Sequence, residues 1–546
     1  MGAGDRAVGA ANKDFRDCFH STPGGRSELL HALADAVVDN ADELARLESM
    51  NAGKRIAGSR NERMLASNWC GKRSSAAKSA AHTGGYMRDY SNVSFWLETA
   101  GEDLTPRPSL GGPLEVDVAI LGAGFSGLWT AYYLLRREPT LRLAILEREI
   151  AGFGASGRNG AWCSSKLSVT NEELVRRYNR LMAQRTTRAM RDAVAEVGRV
   201  VAEEEIDAQY RKGGYLQIAR GRHELPIVHE SWKSLTSLNL TDGCAVLSSG
   251  ELSERVRVQE AKAALFDPHC ATVHPGRLVC GLARAVERRG GRIYEQTAVE
   301  DFEPGPRPSL KTAAGSVTAD VVVLAGEAYL AQLEKLHRQV MPIYSLIVLT
   351  EPLSEDQWES IGWRGHECLS SSRLTVDYLS RTTDGRILFG GRGAPYHFGS
   401  KIADKYDRHE ATHRMLQESL LDWFPSLRGV KFTHEWGGPL GTKRDWMPTA
   451  AYDPRTGVAG AYGYTGQGVS TSNLSGRILA EQITNQPSGL SELPMAGHRS
   501  RDWEPEPLRW LAVRYIQQAL ARTDARGQRT GQPATGKSLA EKLSRH

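Results

Sequence analysis

The apolar positions of this chain change rhythm along its length. In the first 90 residues they fall at helical spacing. Leu29, Leu30, Leu33 and Val37 share one face, and Asn40-x-x-Glu43 resembles a capping box opening a second helix that Gly53 closes. Thr105 to Pro113, rich in Pro and Gly, reads as a linker. From Leu114 the pattern becomes α/β: Val116–Leu121 and Leu141–Leu146 are short apolar strands around a helix over Phe125–Leu135. A long middle stretch mixes helix and strand patterns. Val321–Ala325, Ile343–Thr350, Arg386–Phe389 and Val458–Tyr462 predict further strands. Asp404–Trp423, with Leu416, Leu420 and Phe424 at four-residue intervals, Ser470–Ile483 and Leu508–Leu520 predict helices. From Arg522 to His546 the chain is polar without apolar periodicity, which predicts disorder. No internal repeat is visible.

Composition narrows the class. The 546 residues are 40% hydrophobic and 24% charged, ordinary for a soluble globular protein, and a net charge of +5 is too small to argue for nucleic acid. The 55 glycines exceed the usual share of about 7%, which suits tight turns and close backbone approach to a ligand. Seven cysteines (Cys18, Cys70, Cys163, Cys244, Cys270, Cys280 and Cys368) include no C-x-x-C pair, which argues for a reducing compartment and against structural zinc. Met1–Phe15 lacks the apolar core of a signal peptide, and Arg6 stands where a myristoylation signal needs Ser or Thr. Val116–Leu135 is about long enough to span a bilayer, but Asp117 and three glycines make it a strand plus a helix. The expectation is a soluble, cytoplasmic protein with no transmembrane segment.

Leu121-Gly122-Ala-Gly124-Phe-Ser-Gly127 follows a predicted strand and opens a predicted helix, the context a dinucleotide fingerprint requires. Gly122 allows the turn, Gly124 lets backbone N–H groups approach a pyrophosphate, and Gly127 permits close helix–strand packing. The helix N-terminus adds partial positive charge for the phosphates. Glu147, 25 positions after Gly122, ends the next strand; an acid there accepts hydrogen bonds from a ribose and repels a 2′-phosphate. Two further segments separate FAD from NAD. Gly152-Phe-Gly154-Ala-Ser156-Gly157-Arg158-Asn159-Gly160 follows the acid, and Gly463-Tyr464-Thr-Gly466-Gln467-Gly468-Val469 opens a second helix about 340 residues later. Such a helix start supports negative charge on a reduced flavin. Two Gly-rich helix starts suggest one large cofactor held at both ends.

Together these segments resemble FAD-dependent oxidoreductases of the D-amino-acid oxidase/glycine oxidase type, closest to the γ-glutamylputrescine oxidase branch, over roughly residues 87–511. The resemblance implies a glutathione-reductase-type α/β flavoprotein: a Rossmann-like FAD-binding domain discontinuous over 114–165, 266–335 and 430–485, and a smaller sheet-based substrate domain over 166–265 and 336–429. A helical N-terminal extension (1–86), a linker (87–113), a C-terminal helical extension (486–521) and a disordered tail (522–546) complete the expected layout. It implies FAD contacts at Gly122, Gly124, Phe125, Ser126, Gly127, Glu147, Arg148, Ser156, Arg158, Asn159, Gly160, Val299, Gly466, Gln467, Gly468 and Val469. Expected contacts around the substrate are Tyr344, Arg392, Trp436, Lys443 and Tyr464, with Tyr378, Tyr396 and His397 as further candidates. No metal is implied.

Two departures refine this. Some relatives attach flavin through a His after the ribose acid; Arg158 and Asn159 stand there, so non-covalent FAD is expected. Amino-acid-oxidising relatives hold the substrate carboxylate with an Arg where this chain has Leu440, in Trp436-Gly-Gly-Pro-Leu440-Gly-Thr-Lys443-Arg444. That favours an amine, oxidised at its C–N bond by hydride transfer to flavin N5, with O₂ or another acceptor taking the electrons. The alternatives are a glycine-oxidase-like or D-amino-acid oxidoreductase anchored by Lys443, Arg444 or Arg392, and a flavin-binding protein without activity. Residues 14–78 resemble the first helices of aldehyde dehydrogenases and lack that family's nucleophile and cofactor domain. His409-Glu410-Ala-Thr-His413 matches a zinc-protease pattern, but its face continues into Leu416 and Leu420 and predicts packing. Gly531–Ser538 matches a P-loop without the strand that motif needs.

Overall fold

The computed structural model describes residues 88–540 except 394, 535 and 537. The helices expected before residue 87, and Thr535 and Lys537 of the P-loop-like segment, lie outside the described residues. The elements that frame the site begin with a short helix α1 (Phe95–Glu98), β1 (Val118–Leu121), α2 (Phe125–Arg137) and β2 (Leu143–Leu146). β3 (Trp162–Ser164), the long helix α3 (Arg180–Glu203), β4 (Tyr215–Arg220), β5 (Ala245–Ser248), β6 (Ala261–Asp267) and β7 (Cys270–Thr272) follow. Next come α4 (Pro275–Arg288), β8 (Arg292–Tyr294), β9 (Val321–Leu324), β10 (Met341–Thr350), β11 (Cys368–Ser371), β12 (Asp377–Arg381) and β13 (Ile387–Arg392). The last are α5 (Glu410–Trp423), β14 (Phe432–Thr442), β15 (Thr449–Asp453), β16 (Val458–Tyr462), α6 (Gly468–Thr484) and α7 (Leu508–Thr530).

One sheet runs β15-β16-β9-β1-β2-β8, parallel except for the antiparallel edge strand β15. Parallel strands are covered on both faces, which is why β2 and β9 are apolar at every position and buried throughout. Helices α2 and α6 cross closely: a Cβ added at Gly476 would sit 2.8 Å from the Thr130 amide nitrogen. The strand order reverses around β1, so the carboxyl ends of β1, β2 and β9 open a crevice where ligands bind in such sheets.

The second sheet runs β14-β10-β13-β12-β11-β4-β6-β5. Leu216, Ile218, Leu369, Leu379 and Phe389 project from one face into a core with Trp363 and Trp423. The strand alternation sends Ser345, Ile347, Ser370 and Tyr378 to the opposite face, where they line a cavity. Among the described residues, no helix is long and apolar enough to cross a membrane.

Three stretches differ from the sequence reading. The expected linker buries Tyr90, Phe95, Trp96, Leu97 and Leu110, because its aromatics pack into the body and Trp96 Nε1 donates to the Asn159 carbonyl at 2.8 Å. Residues 432–442, expected in the cofactor domain, pair along β10 as an edge strand of the second sheet. The final helix runs to Thr530, past the expected start of the disordered tail at 522. Asp524 orders it: its carboxylate accepts from the Leu374 and Thr375 amides at 3.0 and 2.8 Å.

Candidate active site

The crevice is a cavity of about 510 Å³ between the two sheets. Its floor begins at β1. Gly122 turns with φ +102°, and a Cβ there would lie 2.8 Å from the Ala325 carbonyl oxygen. Gly124 caps α2, and the Phe125 amide donates to Ser156 Oγ at 2.8 Å, which ties the first Gly-rich turn to the segment after β2. Gly127 stays off the cavity and has a packing role: a Cβ there would sit 2.0 Å from the Gly122 carbonyl oxygen. Glu147 accepts from the Ala123 amide at 2.9 Å and the Glu149 amide at 3.0 Å, and burial pushes its carboxyl up.

The segment after β2 forms one wall. Arg158 is 3% exposed. Its guanidinium donates to the Phe153 carbonyl at 2.7 Å, to Asp407 and to the Gly437 carbonyl at 3.2 Å, and stacks 4.4 Å from the Phe153 ring. Asn159 donates to the Ala155 and Ser156 carbonyls and accepts from the Ala161 amide, so its side chain braces the turn. Gly160 leaves room for Tyr378, whose ring a Cβ would meet at 2.3 Å.

The second Gly-rich turn closes the cavity. Gly463 and Gly466 adopt φ of +87° and +94°, and Gln467 caps α6. Tyr464 Oη hydrogen-bonds Ser126 Oγ at 2.9 Å, which links the two helix starts directly. Between them stands Glu327, just beyond β9. It accepts from the Gly441, Gly463 and Tyr464 amides at 3.0, 2.6 and 3.4 Å. Burial pushes its carboxyl up to about 7 despite these three donors.

All the expected cofactor residues except Gly127 line this one cavity: Gly122, Gly124, Phe125, Ser126, Glu147, Arg148, Ser156, Arg158, Asn159, Gly160, Val299, Gly466, Gln467, Gly468 and Val469. The residues suit FAD. Two helix N-termini supply positive ends, a carboxylate stands beside the first turn, and glycines keep the backbone open where a ligand approaches. No His or Cys is among the lining residues.

The expected substrate contacts fare differently. Tyr464 and Tyr378 line the cavity. Tyr344 does not: it is buried, meets His397 and Tyr406 edge-on, and its Oη accepts from the Ala403 amide at 3.3 Å. Tyr396 hydrogen-bonds Glu506. Trp436 lies behind the wall, donating from Nε1 to the Arg158 carbonyl at 2.9 Å. Lys443 Nζ sits 4.8 Å from the Tyr462 ring centre, and Arg444 pairs with Glu504. Arg392 ends β13 opposite Ser345, and its side chain lies outside the described residues. His413 of the zinc-like pattern is buried, with Nε2 3.3 Å from the Trp436 carbonyl oxygen.

Sequence reasoning missed Glu327 and Lys166. Glu327 carries a readable signal: like Glu147, it follows a buried apolar run at a strand end. Lys166 carries none, because its entry into the cavity depends on how the chain turns after β3.

The family model described as FAD dependent oxidoreductase matches residues 117–482, and that of the aldehyde dehydrogenase family matches 3–95. Gamma-glutamylputrescine oxidoreductase of Escherichia coli (strain K12) is 30% identical over 401 residues, spanning 72% of this chain and 89% of that protein. Glycine oxidase of Geobacillus kaustophilus (strain HTA426) is 24% identical over 395 residues, 70% of this chain and 96% of that protein. The fold matches the crystal structure of glycine oxidase from Geobacillus kaustophilus with a TM-score of 0.58 at 20% identity, covering 71% of this chain and 99% of that one. L-proline dehydrogenase from P. horikoshii gives 0.57 at 19%, covering 69% and 96%. With the family match spanning both Gly-rich helix starts and the carboxylate between them, this chain belongs to the FAD dependent oxidoreductases and uses FAD as its cofactor.

Proposed function

We propose that this flavoenzyme oxidises the C–N bond of an amine, γ-glutamylputrescine or a related primary or secondary amine, to an imine that hydrolyses to an aldehyde. The observation that carries this reading is Leu440, which lines the cavity where amino-acid-oxidising relatives place an Arg. Two of the three cations that could replace that Arg turn elsewhere, Lys443 to Tyr462 and Arg444 to Glu504. An α-carboxylate held against Leu440 would be buried without a partner, which costs far more than burying a neutral polar group. A neutral amine carries no such penalty.

Bound FAD supplies the two-electron acceptor for the hydride leaving the carbon beside nitrogen. The chain's own residues hold and polarise. The amides at the start of α6 favour negative charge at that end of the cavity. Glu327 commits its oxygens to the Gly441, Gly463 and Tyr464 amides, so it orients the turn and leaves the substrate proton to solvent. Arg158 and Asn159 brace the opposite wall, and the flavin is held non-covalently, in keeping with a lining that includes no His or Cys among the described residues. Electrons pass on to O₂, giving peroxide, or to another acceptor.

The test is anaerobic loss of oxidised-flavin absorbance with γ-glutamyl amines, polyamines, amino alcohols and α-amino acids. Bleaching by γ-glutamyl amines with aldehyde formation supports the proposal. Bleaching by α-amino acids alone, or by nothing, overturns it.

A further inference from the structure

The cavity contains a cation that stands in no close ion pair among the described residues. Lys166, two residues beyond β3, lines it together with Trp162, Ser345, Ser370 and Tyr378. Its Nζ stands 4.1 Å from the centre of the Tyr215 ring. Among the described residues it forms no ion pair, whereas Arg373, another basic residue of this wall, lies 3.9 Å from Asp524. Asp267, the acid that acts electrostatically on Lys166, has one oxygen, Oδ1, held by the His269 amide and Nδ1 at 2.8 and 2.7 Å, and lies outside ion-pair distance of the ammonium. The other groups acting on it are the buried thiols Cys270 and Cys368, and burial raises the Cys368 thiol. Burial lowers the Lys166 ammonium, because desolvation disfavours the charged form.

A lone ammonium in a substrate cavity attracts an anion and repels a cation. Lys166 shares its side of the second sheet with Ser370 and Tyr378, while the FAD-binding turns lie at the carboxyl ends of β1, β2 and β9 and the start of α6. We propose that Lys166 is a specificity residue that receives a carboxylate on the substrate at the end away from the oxidised C–N bond, and that it disfavours free diamines, which bring an ammonium there with no carboxylate beside it. This rests on the amine reading above and deepens it: the substrate class is an amine bearing a remote carboxylate, such as a γ-glutamyl amine. Ser345 and Tyr378, whose hydroxyls hydrogen-bond each other at 3.0 Å, and Ser370 make the same wall neutral and polar, which suits an amide linker.

The experiment compares Lys166→Glu, Lys166→Met and Lys166→Arg with the unaltered holoenzyme. The readouts are kcat/KM for γ-glutamylputrescine and putrescine, and the change in flavin absorbance on titration with γ-glutamyl-n-butylamide, which carries the tail without an oxidisable terminal amine. The expected result is a fall of about 10- to 100-fold in the γ-glutamylputrescine/putrescine ratio for Lys166→Met, a larger fall for Lys166→Glu, and retention of the ratio in Lys166→Arg. The γ-glutamyl-n-butylamide response should weaken in parallel. A ratio unchanged in Lys166→Glu, or a loss confined to reoxidation rate, overturns the proposal. If a variant loses its flavin, titration of the unaltered enzyme decides: no response to γ-glutamyl-n-butylamide overturns it. An unaltered enzyme bleached by neither amine overturns the amine reading itself, a separate outcome.

Discussion

Glu327 shows how one side chain joins three elements. Its two oxygens hold the Gly441, Gly463 and Tyr464 amides, so it fastens β14 to the turn that opens α6. Glu327→Gln replaces one acceptor with an NH₂ group that faces an N–H donor, and should cost about 1–3 kcal/mol. We expect faster FAD loss on dialysis, measured as released flavin fluorescence. The carboxyl titrates near 7 in the folded chain and near 4.5 in a free one. Between those values the folded state holds a proton that the unfolded chain has released. Its contribution to stability is therefore full below about 4.5 and is lost as pH rises through about 7, at up to about 1.4 kcal/mol per pH unit. Urea unfolding of the apoprotein across this window should show that slope, and the difference between it and Glu327→Gln isolates it.

The strand–turn–helix from β1 to α2 works only because its glycines leave no room for a side chain. Gly127→Ala would put a methyl 2.0 Å from the Gly122 carbonyl oxygen, displacing the turn from which the α2 amides point. The variant should purify colourless and fail to take up added FAD; a yellow protein with normal flavin content would refute this. Helix α1 acts at longer range. Trp96 is buried, packs edge-on against His274 and Trp436, and holds the Asn159 carbonyl. Trp96→Ala should destabilise the chain by about 3–5 kcal/mol, read from the urea midpoint, and raise the FAD dissociation constant because the wall at Asn159 loses its brace.

On the scale of the whole molecule, the chain divides after residue 87, and residues 88–540 carry both sheets and the cavity-lining residues named above. A chain beginning at residue 88 should therefore purify yellow with an unchanged flavin spectrum. One beginning at 99 should lose the flavin, since it lacks Trp96. Much of this site was legible beforehand. Gly122, Gly124, Glu147, Ser156, Gly466 and Gln467 sit in local motifs whose chemistry is backbone chemistry: a turn, a helix start, an acid at a strand end. Such motifs mean the same thing wherever they occur, so sequence alone determined the α/β class, the strand–turn–helix and the two Gly-rich turns that line one cavity. The opposite wall was legible only in part: Tyr378, Leu440 and Tyr464 line the cavity as expected, and other candidates do not. Tyr344 and Trp436 carry the same residue types as Tyr378 and Trp162, yet only the latter pair lines the cavity. Which face of a strand meets the ligand depends on strand order and register across eight strands drawn from distant parts of the chain. Likewise, whether Lys166 or Lys443 stands in the cavity, and whether a polar helix is held by Asp524, follows from long-range pairing. Local pattern determined what each segment is; the tertiary structure decided what each side chain faces, because facing is a relation between segments that no single segment contains.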